Sequence, residues 1–107
     1  MPFYMIQASY KETAAKALIA RPHDRSEVVR KMIESLGGKL HSFFLAFGDF
    51  DVVAIVEAPS NEAAVAAGLA TVSGGALSHY KTTVLIPPKE AVAAMKKAKK
   101  IAYTPPK

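Results

Sequence analysis

Cysteine is absent from the 107 residues. That excludes disulfides, thiolate metal sites, iron–sulfur clusters and thiol nucleophiles together, and it is compatible with a reducing compartment. A cytoplasmic location is the expectation. Long hydrophobic runs are also missing: no apolar stretch approaches the ~20 residues of a membrane span, and no basic segment leads into one at the N-terminus. No membrane partner is expected. Charge of one sign is scarce over most of the chain. Residues 1–86 carry eight Lys/Arg and eight Asp/Glu, so the net charge of +5 lies after Ile86, in Lys89, Lys96, Lys97, Lys99, Lys100 and Lys107 against Glu90. The pI of 9.6 therefore describes an appendage, and the body offers no basic surface for nucleic acid.

Half of the residues are hydrophobic, enough for one globular domain of this length. The most informative feature is a repetition. A helix-like stretch ending Glu34-Ser35-Leu36 stops at Gly37-Gly38 and runs into Lys39 to Phe43. A second, ending Ala70 to Ser73, stops at Gly74-Gly75 and runs into Ala76 to Tyr80. Strand-like runs precede both, Phe3 to Tyr10 and Asp51 to Ala58. Two β-α-β units in series predict an α+β, ferredoxin-like split βαβ fold: β-α-β-β-α-β, a four-stranded antiparallel sheet in the order 4-1-3-2, both helices on one face. Residues 1–86 form this domain, and residues 87–107 a basic C-terminal helix and tail.

Local signals refine the elements. Lys11 to Ala20 reads as a short helical excursion that stops before Pro22. Asp24 with Glu27 three positions on reads as a capping box, followed by the apolar stripe Val28, Val29, Met32, Ile33 and Leu36. The strands Lys39 to Phe47 and Asp51 to Ala58 are joined only by Gly48-Asp49-Phe50, which implies a tight hairpin. Ser60 and Asn61 are cap candidates for a helix of small residues, Glu62 to Ser73. That composition lets the helix lie close to the sheet or to another helix. A fourth strand, about Leu77 to Ile86, ends at Pro87-Pro88. The helix beyond has the stripe Ala91, Val92, Met95 and Ala98.

A sheet covered on one face alternates apolar and polar residues along each strand; these strands do not. One parity contains Tyr4, Ile6, Ala8, Phe43, Leu45, Phe47, Val53, Ile55, Tyr80, Val84 and Ile86. The other contains Phe3, Met5, Leu40, Phe44, Ala46, Val52, Ala54, Val56, Leu77 and Leu85. Matching the two Gly-Gly repeats assigns the first set to the helices and the second to the open face. An open face this apolar needs a cover. A second copy packed sheet to sheet, the C-terminal helix, or an apolar ligand would each serve, and the helix could also clamp a partner subunit.

Three segments carry a family resemblance: Gly37-Gly38-Lys39-Leu40, Gly48-Asp49-Phe50-Asp51-Val52-Val53, and Val56-Glu57-Ala58-Pro59. They resemble the GYD-domain family of small bacterial proteins over about residues 3–86. Phe50 stands at the position of the tyrosine that gives the family its name, so a role for that phenolic hydroxyl is not available here. The resemblance implies a ferredoxin-like fold associating through its sheets, in the manner of a dimeric α/β-barrel, and implies no activity.

Few constellations point to chemistry. Gly48, Asp49, Phe50 and Asp51 are read first as turn residues, since glycine and aspartate suit tight connections, and two aspartates are too few oxygen ligands for a cation. The Gly-Gly pairs follow helices, whereas phosphate loops precede them. His41 and His79 fall on the two edge strands, about 14 Å apart at ~4.8 Å per strand interval, too far for one ion. No metal and no cofactor are expected. The polar residues sharing the open-face parity are Gln7, Ser9, Ser42, His79, Lys81 and Thr83. Convergent polar groups in an apolar setting are what a small-molecule site looks like, and a histidine there can act as acid or base. The expectation is a small soluble binding or assembly protein, a homo-oligomer through sheet packing. The alternative is a small-molecule sensor or cofactor-independent, monooxygenase-like enzyme with a cavity between sheets.

Overall fold

The aromatic and branched residues at the start of the chain form β1 (Phe3–Tyr10), the strand that the rest of the sheet is built around. In the computed structural model, which describes residues 1–107, there follow α1 (Glu12–Ala20), α2 (Ser26–Ser35), β2 (Lys39–Leu45), β3 (Val52–Glu57), α3 (Asn61–Ser73), β4 (Leu77–Leu85) and α4 (Pro88–Ala98). The four strands form one antiparallel sheet in the order β2-β3-β1-β4, which read from the other edge is 4-1-3-2. No helix is long and apolar enough to cross a membrane.

The helix ends follow from local chemistry. The Ser60 hydroxyl accepts from the Ala63 backbone N–H at 3.2 Å, the N-cap of α3. At the end of α2, Gly37 takes a left-handed φ of 81°, the Gly37 N–H bonds the Glu34 carbonyl, and the Gly38 N–H bonds the Ile33 carbonyl. This pair of bonds is the Schellman motif. At the end of α3 the left-handed residue is Gly75, at 77°. The capping box read at Asp24 does not form. Asp24 lies two residues before the first helical residue, so its carboxylate accepts from the Ser26 N–H at 2.9 Å and the Ser26 hydroxyl at 2.6 Å instead. These bonds, the side-chain one first, hold the Asp24 carboxyl below the usual carboxylate range.

The faces of the sheet need correction. Tyr4, Ala54, Val56 and Leu40 belong to the buried cluster with Ile33 of α2 and Ala67 of α3. The register pairs Tyr4 with Val56, Ile6 with Ala54 and Ala8 with Val52, so Val52, Ala54 and Val56 point to the helices and Val53 and Ile55 to the open side. Leu40 is also on the helix side, because a bulge between Leu40 and Ser42 inserts one residue into β2 and reverses its parity. Leu77 changes sides for the same reason, through the irregularity after Ser9. The β2–β3 connection is longer than read. β2 ends at Leu45, the Ala46 N–H still bonds the Asp51 carbonyl at 2.8 Å, and Phe47 turns wholly into solvent. Asp51 leaves the strand because it serves β1: its N–H bonds the Ala8 carbonyl and its carboxylate accepts from the Tyr10 N–H, both at 2.9 Å.

α4 begins with Pro88 at its first turn, where a missing N–H costs nothing. It buries none of its residues and packs on no other element to any extent. It stands away from the body. The radius of gyration is accordingly 17.3 Å, against the ~13 Å of a compact chain of this length. The helix does not fold across its own sheet.

Candidate functional site

Side chains of the uncovered face form a grid fixed by strand register. Across the sheet from β2 to β4 the rows read Ser42, Ile55, Met5, Thr83, then Phe44, Val53, Gln7, Lys81, with Ser9 opposite His79 beyond them and Phe3 opposite Leu85 at the other end. The centre of the face is apolar, and its polar groups gather at one corner. Of the six polar residues singled out in the sequence, Gln7, Ser9, His79 and Lys81 form a two-by-two block on neighbouring strands. Thr83 continues that block along β4. Ser42 lies on the far edge strand, about 14 Å from Thr83 at ~4.8 Å per strand.

The Gly48-Asp49-Phe50-Asp51 segment reaches the same corner. The Ser9 hydroxyl donates to the Asp49 carbonyl at 3.3 Å. The Phe50 ring meets the His79 ring edge-on, with centroids 6.0 Å apart, a favoured aromatic geometry. Gly48 and Asp49 are exposed at the tip, while Phe50 and Asp51 are half-buried. The hydroxyl of Ser9 is thus engaged by backbone, and no hydrogen bond joins it to His79. A nucleophile activated by a base needs that bond. The arrangement suits hydrogen-bonded recognition by Gln7, His79 and Lys81 beside an aromatic edge.

A second polar contact on this face was not legible in the sequence. His41 Nε2 lies 2.6 Å from Glu57 Oε1, and the His41 ring packs on Phe3 at 5.3 Å. The bulge in β2 places His41 there, and no sequence period announces it. His41 and His79 belong to opposite edge strands, and no group of three metal-ligating side chains comes together.

The covered face holds a feature the sequence reading also missed. Between α2 and α3, over the sheet, is a hollow of about 360 Å³ lined almost wholly by apolar side chains. Its cause is the composition of α3. Ala63, Ala64, Ala67 and Ala70 on the α3 side of the hollow are short, so the two helices leave a gap over the sheet, closed at one point where the Thr71 hydroxyl lies 3.5 Å from the Met32 sulfur. One charged residue lines the hollow, Arg25, with the Tyr10 and Tyr80 rings at the sheet. Burial raises both phenols above their ordinary pKa; at Tyr10 the nearby Arg25 opposes the rise and Asp51 adds to it.

Comparison with known proteins adds a fold and a family. The crystal structure of MtbAldR superposes with a TM-score of 0.61 at 16% sequence identity, covering 80% of this chain. The chain spans about half, 53%, of that protein, and at this identity the likeness concerns the fold. A comparison with curated proteins finds no match. The GYD domain profile matches residues 4–95, which takes in the sheet apart from Phe3, α1 to α3 and the greater part of α4. That span covers most of the chain, with the Phe50 hairpin inside it: the protein belongs to the GYD domain family.

Proposed function

We propose that the chain is a small binding and assembly protein whose subunits pair by packing their uncovered sheet faces, in a dimeric α/β-barrel type of association. The observation that carries this reading is the apolar grid of Phe3, Met5, Phe44, Val53, Ile55 and Leu85, with no helix over it: Phe44 is 66% exposed and the other five are half-buried among their strand neighbours. Scattered apolar residues are normal on a monomer; a contiguous flat block of six is a docking surface. A two-fold pairing would bury the same patch on both copies. α4 supports the reading twice over: it leaves its own sheet bare, and its apolar stripe is itself open to solvent, with Val92 and Met95 47% and 65% exposed. A stripe in that position can clamp the partner subunit. Light scattering on the full chain tests the proposal, and a monodisperse monomer at micromolar concentration ends it.

A second reading rests on the corner where Phe50 meets His79 beside Gln7 and Lys81. Enclosed between two sheets, that corner would recognise a small molecule, as a sensor or as a cofactor-independent, monooxygenase-like enzyme. A thermal-shift ligand screen on the wild type and His79→Ala decides it, because hits indifferent to His79 remove its basis.

A further inference from the structure

From the hollow between α2 and α3 we infer a second, separate ligand site, one that takes a linear monocarboxylate amphiphile, its tail among the alanines of α3 and its carboxylate on Arg25. The site lies on the opposite side of the sheet from the proposed subunit contact and does not depend on it.

Volume, wall chemistry and charge converge on this site. The first is volume. At the ~30 Å³ that a water takes in the liquid, 360 Å³ holds about a dozen non-hydrogen atoms, and it falls within the size range of small-molecule pockets. Water held against an apolar wall of this extent is released by an apolar tail, which also gains dispersion contacts with the wall. The second is chemistry of the wall. The alanines Ala64 and Ala67, with Val29, Met32 and Ile6, offer no hydrogen-bonding group to a polar ligand body, so what fills the space is a hydrocarbon.

The third observation is charge. Arg25 is half-buried and has no carboxylate within ion-pair distance; the two ion pairs of the chain are Lys16–Glu12 and His41–Glu57. Its one side-chain hydrogen-bond partner is His23, whose Nε2 lies 3.4 Å from a guanidinium nitrogen. A planar fork of donors left free at the rim of an apolar space matches a carboxylate head. Asp51 is the carboxylate felt near this end, and it is turned to the Tyr10 N–H at 2.9 Å. The Tyr10 hydroxyl, a neutral donor at ordinary pH, lies near Arg25 and lines the same hollow.

Decanoate, below its micelle concentration, is the probe, with decan-1-ol as the uncharged control, both titrated calorimetrically into the full chain. Saturable decanoate binding is expected, at least about tenfold tighter than decanol because only the carboxylate gains a charge-assisted contact. Arg25→Gln should bring the two ligands to similar affinity. Ala67→Leu, which fills the hollow, should weaken both by about tenfold or more; Ala70→Leu, on the same wall, serves if Ala67→Leu does not fold. The absence of saturable decanoate binding, decanol binding as tightly as decanoate, or affinities unchanged in Arg25→Gln and the leucine variants would each overturn the site.

Discussion

The hydroxyl of Tyr4 donates to Oδ1 of Asn61 at 2.6 Å and so ties the central strand to the first turn of α3. Tyr4 is the most deeply buried large side chain, 2% exposed, whereas Asn61 is exposed. Tyr4→Phe removes the donor and leaves an acceptor that water can serve, so it should cost about 1 kcal/mol. Asn61→Ala strands a buried hydroxyl and should cost more, about 1–3 kcal/mol. Urea denaturation of both variants checks the order, and Tyr4→Phe being the more damaging would contradict the pairing.

Neighbouring glycines after α2 should respond differently to alanine. At Gly37 the penalty is the left-handed backbone, roughly 1–2 kcal/mol for a residue with a Cβ. At Gly38 the penalty is space: a Cβ would overlap the Glu57 carbonyl and come within 3.0 Å of the Ile33 side chain. Both neighbours are anchored, so Gly38→Ala must push α2 off the sheet and should cost about 3 kcal/mol, the upper end of overpacking. Melting temperatures should fall further for Gly38→Ala than for Gly37→Ala.

Alkaline pH should destabilise the fold through Tyr80. Burial raises its phenol above the ordinary value of 10.0, with the Thr82 side chain pulling the other way. Below that value the phenol is neutral in folded and unfolded chains alike and contributes no pH dependence. As pH rises through 10 the unfolded chain ionises first, so stability is lost over the interval up to the folded pKa. Tyr80→Phe should show a shallower loss of melting temperature above pH 10 than the wild type, and parallel curves would assign the alkaline loss elsewhere.

Charges placed on the apolar grid should abolish the proposed pairing. Ile55→Glu at its centre, or Phe44→Lys on the β2 side, would bury an unpaired charge in a sheet-to-sheet contact, which is costly enough to split it. Val65→Glu is the control, since Val65 is 59% exposed on α3, on the covered side. Sedimentation should give monomers for the first two and leave the control associated. Removal of residues 88–107 should weaken the association without destroying it.

The caps at Ser60 and Gly37-Gly38 were legible because they act on backbone groups within five residues, whereas the box read at Asp24 was not, since the helix begins one residue too late for it. The faces of the sheet were less so. Every strand has apolar residues at both parities, and a single inserted residue at His41 turns Leu40 inward, a displacement no period of two can reveal. The corner joining Ser9, Phe50 and His79 was half legible, since strand pairing placed Ser9 beside His79 while the arrival of Phe50 needed the loop. The alanines of α3 misled in an instructive way. Small residues do allow close approach, as where Gly68 lies against the Tyr80 ring, but toward α2 the same smallness leaves a gap.

One consequence attaches to α4. Eleven residues with no tertiary support fall short of the ~12–15 that hold a helix together in water. Its coil-to-helix balance must therefore be borrowed from whatever it leans on. If the subunits pair as proposed, far-ultraviolet circular dichroism followed on serial dilution should lose ellipticity in step with dissociation, making this segment a built-in gauge of how many copies are in company.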